Sequence, residues 1–312
     1  MTSGGDIGLT EAAPISAARA SAAPISIPRI TRLTSDALGM VVNLYLVEGR
    51  DGVVVIDGAI SRRFAAHVRD AITATGKPLL GAILTHGHPD HFCGLGEILA
   101  GQEVPIFALP GAIAQLGRRW DEAVPGMRAA FGDDFPQTLR KPDTPVADGD
   151  TVALGDLRFA VRAYGAGESE CDATWTLLAE PGTTSGDTVF CGDLVYNNMH
   201  VFMQDGHAEE WLDALARLSR AHAPGTRFHP GHGPAGGHEL IQWTAGYIRM
   251  YLRAMRDALD LDPGFGPGAE IRLVETIRSY LPSDDLIDLA QFRLDITAHN
   301  LARVARNAKE IY

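Results

Sequence analysis

"THGHPDHFCG", Thr85 to Gly94, follows directly on the apolar run "LLGAIL" (79–84) and sets three histidines and one aspartate within six positions. His, Asp, Gly and Pro all favour turns, so a plain polar loop is the simplest account. With 11 histidines in 312 residues, however, the order H-x-H-x-D-H arises by chance in roughly one such chain in a thousand. The stretch therefore reads as a metal-binding loop at the end of a buried strand.

On its N-terminal side, "MVVNLYLVE" (40–48) and "GVVVIDG" (52–58) are β-branched runs joined by the turn-like "GRDG", the pattern of a hairpin. "SRRFAAHVRDAITAT" (61–75) changes to helical period, with Phe64, Val68 and Ile72 on one stripe. On the C-terminal side come a short helix at "GLGEILAG", a strand at 104–110, and a less regular stretch, 111–145, carrying Trp120, Phe131 and Phe135. That stretch fits a helical connection packed on the surface, or a lid over the loop. A second hairpin around Gly155-Asp156, strands at 174–180 and 188–195, a helix at 207–222 and a strand ending near 234 follow. The fold class is α/β. Residues 1–28, rich in Ala, Ser and Pro, read as a disordered leader, because Asp6 and Glu11 stand where a signal peptide carries basic residues. Residues 29–237 form the predicted catalytic domain. Residues 238–312 read as a helical extension that caps the domain or pairs with a second copy.

Composition narrows the function. A net charge of −12, with no basic run interleaved with aromatics, argues against nucleic acid as a partner and leaves a small-molecule substrate. Nowhere do 18 consecutive apolar residues occur, so no membrane span is expected. Cys93, Cys171 and Cys191 lack C-x-x-C spacing, which fits free thiols in a cytoplasmic protein.

Four donors at His86, His88, Asp90 and His91 exceed what one catalytic ion holds, since such an ion keeps about three protein ligands and an open position. Two ions are expected, His86 and His88 facing one, Asp90 and His91 the other. Their remaining ligands should stand at other strand ends. Three places offer them: "GAGESECD" (165–172), Asp193 in "FCGD", and His232 in "HPGHG". His229 competes with His232, but the glycines flanking His232 suit a close approach to an ion, leaving His229 to support or to the surface.

Through His86-Gly-His88-Pro-Asp90-His91, the strand-end Gly192-Asp193, the "PGHG" around His232 and the early Asp57-Gly58, the chain resembles the metallo-β-lactamase superfamily of binuclear metal hydrolases over roughly residues 30–235. The resemblance implies a four-layer αββα sandwich with two divalent ions at one edge, zinc before iron or manganese. It gives His86 and His88 to the first ion, Asp90, His91 and His232 to the second, and Asp193 as the bridge. Family members usually carry a third histidine for the first ion where this chain has Gly167-Glu168. Glu168 is the preferred substitute, with Glu170, Cys171 and Asp172 as alternatives, and some branches similarly use glutamate, among them alkylsulfatase-like hydrolases and a diiron oxygenase group. A carboxylate makes the site harder and friendlier to iron or manganese.

Three functions follow as expectations. The first is hydrolysis of an ester, lactone, thioester or sulfate ester by a water shared between two ions, with Asp90 as catalytic proton carrier or orienter. The second is oxygen activation at a diiron centre, and the third is metal binding without turnover. Tyr196 and His200, a few residues past Asp193, are the candidate substrate contacts.

Overall fold

The computed structural model describes residues 28–35, 41–179, 187–203, 205–264 and 266–280. The expected leader, apart from its last residue, and the tail from 281 lie outside the described residues.

Two sheets face each other, and their outer faces carry helices. The first runs β1 (Arg29–Ser35), β2 (Val42–Glu48), β3 (Val53–Ile56), β4 (Leu79–Ile83), β5 (Ile106–Ala108), β6 (Thr144–Pro145), in that spatial order. β1, β2 and β3 are antiparallel, and β3 to β6 are parallel. A parallel step needs a crossover. α1 (Arg62–Ala74) supplies the first, started by Ser61, whose hydroxyl accepts from the Phe64 N–H at 3.2 Å. α2 (Pro89–Phe92), α3 (Leu95–Ile98), α4 (Pro110–Glu122) and α5 (Val124–Phe131) fill the later ones.

The second sheet has the order β11 (Arg227–His232), β10 (Thr188–Tyr196), β9 (Asp172–Leu177), β8 (Leu157–Gly165), β7 (Thr151–Leu154). Only the β10–β11 pair is parallel, and α6 (Ala208–Ala221) makes its crossover. α7 (Glu239–Leu261) and α8 (Pro267–Arg278) complete the outer layer.

The alternation along β2 shows why there are three apolar layers. Leu44 and Leu46 point toward α1 and α3, with Val68, Leu95 and Phe92, whereas Tyr45 and Val47 point to the second sheet, against Phe159, Trp175 and Phe190. On the far side, Val189, Cys191 and Val195 meet Trp211 and Leu215 of α6 and Ile248 of α7. Each fully buried large side chain contributes about 1.5–3 kcal/mol, so the sandwich is secured at all three interfaces. The sheets are also pinned directly: Tyr45 donates to the Pro230 carbonyl at 2.7 Å, and Asn43 to the carbonyls of Pro230 and Gly233 at 3.0 and 2.7 Å.

Between 111 and 145 the chain is mainly helical. Trp120 stacks on Phe92 at 5.8 Å, and Phe131 and Phe135 are buried in the layer on the first sheet. Beyond 238, Ile241, Tyr247 and Tyr251 are core residues, as their helical spacing predicts. Among the described residues no helix is long and apolar enough to cross a membrane.

Candidate metal centre

Asp57, just past β3, is buried and holds a positive φ of 62°, a conformation few non-glycine residues adopt. Its carboxylate accepts from the Thr85 N–H at 2.9 Å and lies 2.9 and 3.1 Å from the Thr85 hydroxyl. A carboxylate only accepts, so that hydroxyl donates to it and keeps a lone pair for Nδ1–H of His86 at 3.0 Å. Nε2 of His86 is thereby left as a lone-pair donor, buried and without a hydrogen-bond partner. His91 repeats the logic: Nδ1 donates to Asp57 at 2.9 Å, and Nε2 points inward, 3.2 Å from Oδ1 of Asp193. In His232, Nδ1 meets the Val41 carbonyl, and Nε2 lies 2.9 Å from Asp193 and 3.5 Å from Asp90. His88 is turned the other way, with Nε2 on Asp205 at 3.0 Å and Nδ1 2.9 Å from Glu168.

Three clusters of donor atoms result, each within 4.8 Å: His86, His88 and Glu168; His86, His91 and Asp193; Asp90, His91 and His232. Oε1 of Glu168 and Nε2 of His86 are buried without hydrogen-bond partners, and Oε2 of Glu168, Oδ1 of Asp193 and Nε2 of His91 make only close ligand-to-ligand contacts that lack hydrogen-bond geometry. Carboxylates buried in that way are costly unless a cation satisfies them. The donor set fits divalent ions.

The local charges agree. Burial pushes the Glu168 carboxyl well up, and burial together with His91 and His88 holds His86 neutral. Burial works against ionised Asp193, but His232 and His91 outweigh it and keep that carboxylate charged. Two glycines make room. A Cβ on Gly231 would lie 2.1 Å from Oδ1 of Asp193, and Gly192, at φ +49°, would bring one to 2.5 Å from the Thr85 hydroxyl.

Every expected ligand position thus reaches one edge of the sandwich, including Glu168. Glu170 is instead exposed and paired with Arg118, Cys171 is not in the clusters, and Asp172 accepts from the backbone and hydroxyl of Ser169, both at 3.0 Å. Tyr196 and His200, the expected substrate contacts, both lie inside the fold. Tyr196 is fully buried, stacked on His232 at 5.2 Å with its hydroxyl donating to Asp193 at 2.8 Å. His200 is buried as well, bonded to the Tyr247 hydroxyl at 2.8 Å. His229 is neither at the surface nor in the clusters. It packs between the rings of Tyr45 and Phe190, at 5.2 and 5.1 Å. Sequence reasoning missed Thr85 as a relay and missed Asp205 and Arg119 altogether. Only the adjacency of Thr85 to His86 hinted at any of them.

Comparison with known proteins agrees with this geometry. A family model described as the metallo-beta-lactamase superfamily matches residues 38–232, more than half the chain. The chain belongs to the metallo-β-lactamase superfamily. Its metallo-β-lactamase fold is shared with a beta-lactamase domain protein from Burkholderia ambifaria, at 22% identity and a TM-score of 0.60 over 89% of this chain and 84% of that one. A metallo-beta-lactamase from Pontibacter korlensis aligns at 20% identity and a TM-score of 0.55, over 72% of this chain and 99% of that one. Among curated superfamily relatives, a hydroxyacylglutathione hydrolase from Shewanella halifaxensis is 24% identical over 185 residues, 56% of this chain and 52% of that protein. Another, from Alkalilimnicola ehrlichii, is 30% identical over 171 residues, 54% of this chain and 53% of that protein. The chain spans about half the length of these two relatives.

Proposed function

We propose that the protein is a binuclear metal-dependent hydrolase of a small thioester or ester, with lactones and sulfate esters as the neighbouring classes. The observation that carries this reading is the convergence of buried donor atoms from His86, His91, Glu168 and Asp193 at one sandwich edge. In this reading His86, His88 and Glu168 would hold the first ion and Asp90, His91 and His232 the second, with Asp193 as a further ligand. Ions bound there would supply Lewis-acid polarisation of a scissile carbonyl and would acidify a water. The chain's own residues supply the rest. Asp57 and Tyr196 fix the ligands, and Asp90, the one member of the set with measurable side-chain exposure above a tenth, at 13%, is placed to orient the attacking water or carry its proton. Thioesters come first because two relatives bear the name hydroxyacylglutathione hydrolase.

The test is turnover by protein of known metal content on thioester, ester, lactone and sulfate-ester substrates, with a phosphodiester and a β-lactam as contrasts. Two ions per chain and hydrolysis in the first group are expected. No turnover on any substrate with both ions bound overturns the reading. Glu168→Ala should lower bound metal from two toward one and abolish turnover, while Glu170→Ala and Cys171→Ala keep both ions.

One observation favours a second reading. Each of the three clusters is two histidines and one carboxylate, a set suited to iron and oxygen chemistry. Iron in the isolated protein, an absorption band and reductant-dependent oxygen uptake would support it; a colourless zinc protein active without oxygen removes it.

A further inference from the structure

Three of the four clustered histidines present Nε2 to the centre and are fixed through Nδ1 by groups on the first sheet or adjoining it: Thr85 for His86, Asp57 for His91, the Val41 carbonyl for His232. His88 alone presents Nδ1, so its outer nitrogen needs an acceptor from elsewhere. Asp205, in the connection between β10 and α6, fills that place at 3.0 Å, and its other oxygen is held by the guanidinium of Arg119 on α4. The side chain of Asp205 is 4% exposed, so this link is shielded from water.

The same helix touches the first cluster at other points. A Cβ on Gly87, between His86 and His88, would lie 2.9 Å from the Ala112 carbonyl oxygen and the Leu116 nitrogen, so α4 backbone is pressed against the ligand loop. Arg118 pairs with Glu170, two residues beyond Glu168. The groups that fix His91 and His232, by contrast, are Asp57 and the Val41 carbonyl, neither of them on α4.

We infer that Arg119, acting through Asp205, is the positioning residue of the first ion: α4 sets the orientation and basicity of His88, and so the affinity of that ion independently of the second. This rests on the assignment of His86, His88 and Glu168 to one ion. An ionised carboxylate on the far nitrogen of a ligating imidazole fixes its tautomer and raises its donor strength, and loss of such a partner costs 10–100-fold in metal affinity. Lysine at 119 keeps the charge, although not the planar fork, and methionine keeps only the stem.

The experiment is titration of metal-free full-length protein with zinc against a chromophoric chelator, and with cobalt followed by its visible absorption. Melting of each metal-free variant reports the state of the fold. Asp205→Asn and Arg119→Met are expected to weaken one of two binding steps by about 10–100-fold and to alter the cobalt spectrum of that step. The other step stays at the wild-type value, and Arg119→Lys recovers a large part of the loss. Arg63→Gln, which breaks an exposed pair with Asp134, leaves both steps unchanged. Wild-type affinities and spectra in Asp205→Asn and Arg119→Met overturn the inference, as does equal weakening of both steps. Failure of the wild-type chain to take up two ions would overturn the ligand assignment itself, a result separable from either of these.

Discussion

Gly231 occupies a place where a single methyl group would decide the outcome. Its Cβ would stand 2.1 Å from Oδ1 of Asp193 and 2.7 Å from Cε1 of His91. Gly231→Ala must displace one of those side chains, and overpacking of this kind costs about 1–3 kcal/mol. Metal content read by atomic emission should fall below two per chain; two ions with a normal melting curve would show that the site relaxes around the methyl. His229 supports a pH prediction. Burial, with Arg227 and Arg32 nearby, pushes its imidazole down to about 4, so it is neutral in the fold, whereas the unfolded chain titrates near its ordinary 6.5. A depressed pKa means stability that is whole above about 6.5 and is lost as pH falls toward 4, on the order of 2–3 kcal/mol. His229→Phe keeps a ring between Tyr45 and Phe190 and removes the proton site, so its denaturation midpoint should fall less steeply from pH 6.5 to 4; an unchanged slope would refute the assignment. The two positions also mark what the sequence discloses. The ligands of the 86–91 loop are legible because they are local, whereas Glu168 appears only as one of four nearby candidates. The glycines flanking His232 single it out from His229 as the ligand, but only tertiary packing sends His229 into the core. Asp205 lies 117 residues from His88, with no pattern connecting them.

At the scale of elements, strands and helices follow their periodicity closely: the β2–β3 and β7–β8 hairpins, α1, α6 and α7 all stand where the apolar spacing places them. β1 and the two-residue β6 carry too little alternation to be read in advance, since their place comes from a neighbour's open edge. The stretch 111–145 illustrates a different limit. Its aromatic residues satisfy a lid and a core equally well in sequence, and the difference lies in which side of the segment meets the first sheet. Phe135 is fully buried among the residues on the first sheet. Phe135→Ala should therefore cost about 3–5 kcal/mol in denaturant unfolding, with metal content and KM unchanged. A changed KM with unaltered stability would instead give Phe135 a role at the pocket.

For the molecule as a whole, the proposed ligands come from both sheets: the loop after β4 belongs to the first, whereas Glu168 follows β8, Asp193 lies within β10 and His232 ends β11 of the second. Ions held there would tie the sheets together and also offset buried like charges. A ligand at a thousand times its dissociation constant stabilises by about 4 kcal/mol, which for a domain of this size raises Tm by on the order of 10 °C. Chelation should lower Tm by that order, reversibly on return of zinc; an unchanged Tm would mean that the donor cluster holds no ion tightly. The hydrogen bond from His232 to the Val41 carbonyl joins residues 191 apart in the chain, and that separation governs the order of events in time. The 86–91 loop is local and can form early, but the partners on β10 and β11 arrive only when the second sheet docks. We expect the complete donor set to assemble only after the folding barrier, so zinc should leave the refolding rate almost untouched and slow unfolding instead; a zinc-dependent refolding rate would place the centre in the folding nucleus. In kinetic terms the centre acts as a latch: it does little to close the sandwich and determines how long it stays closed.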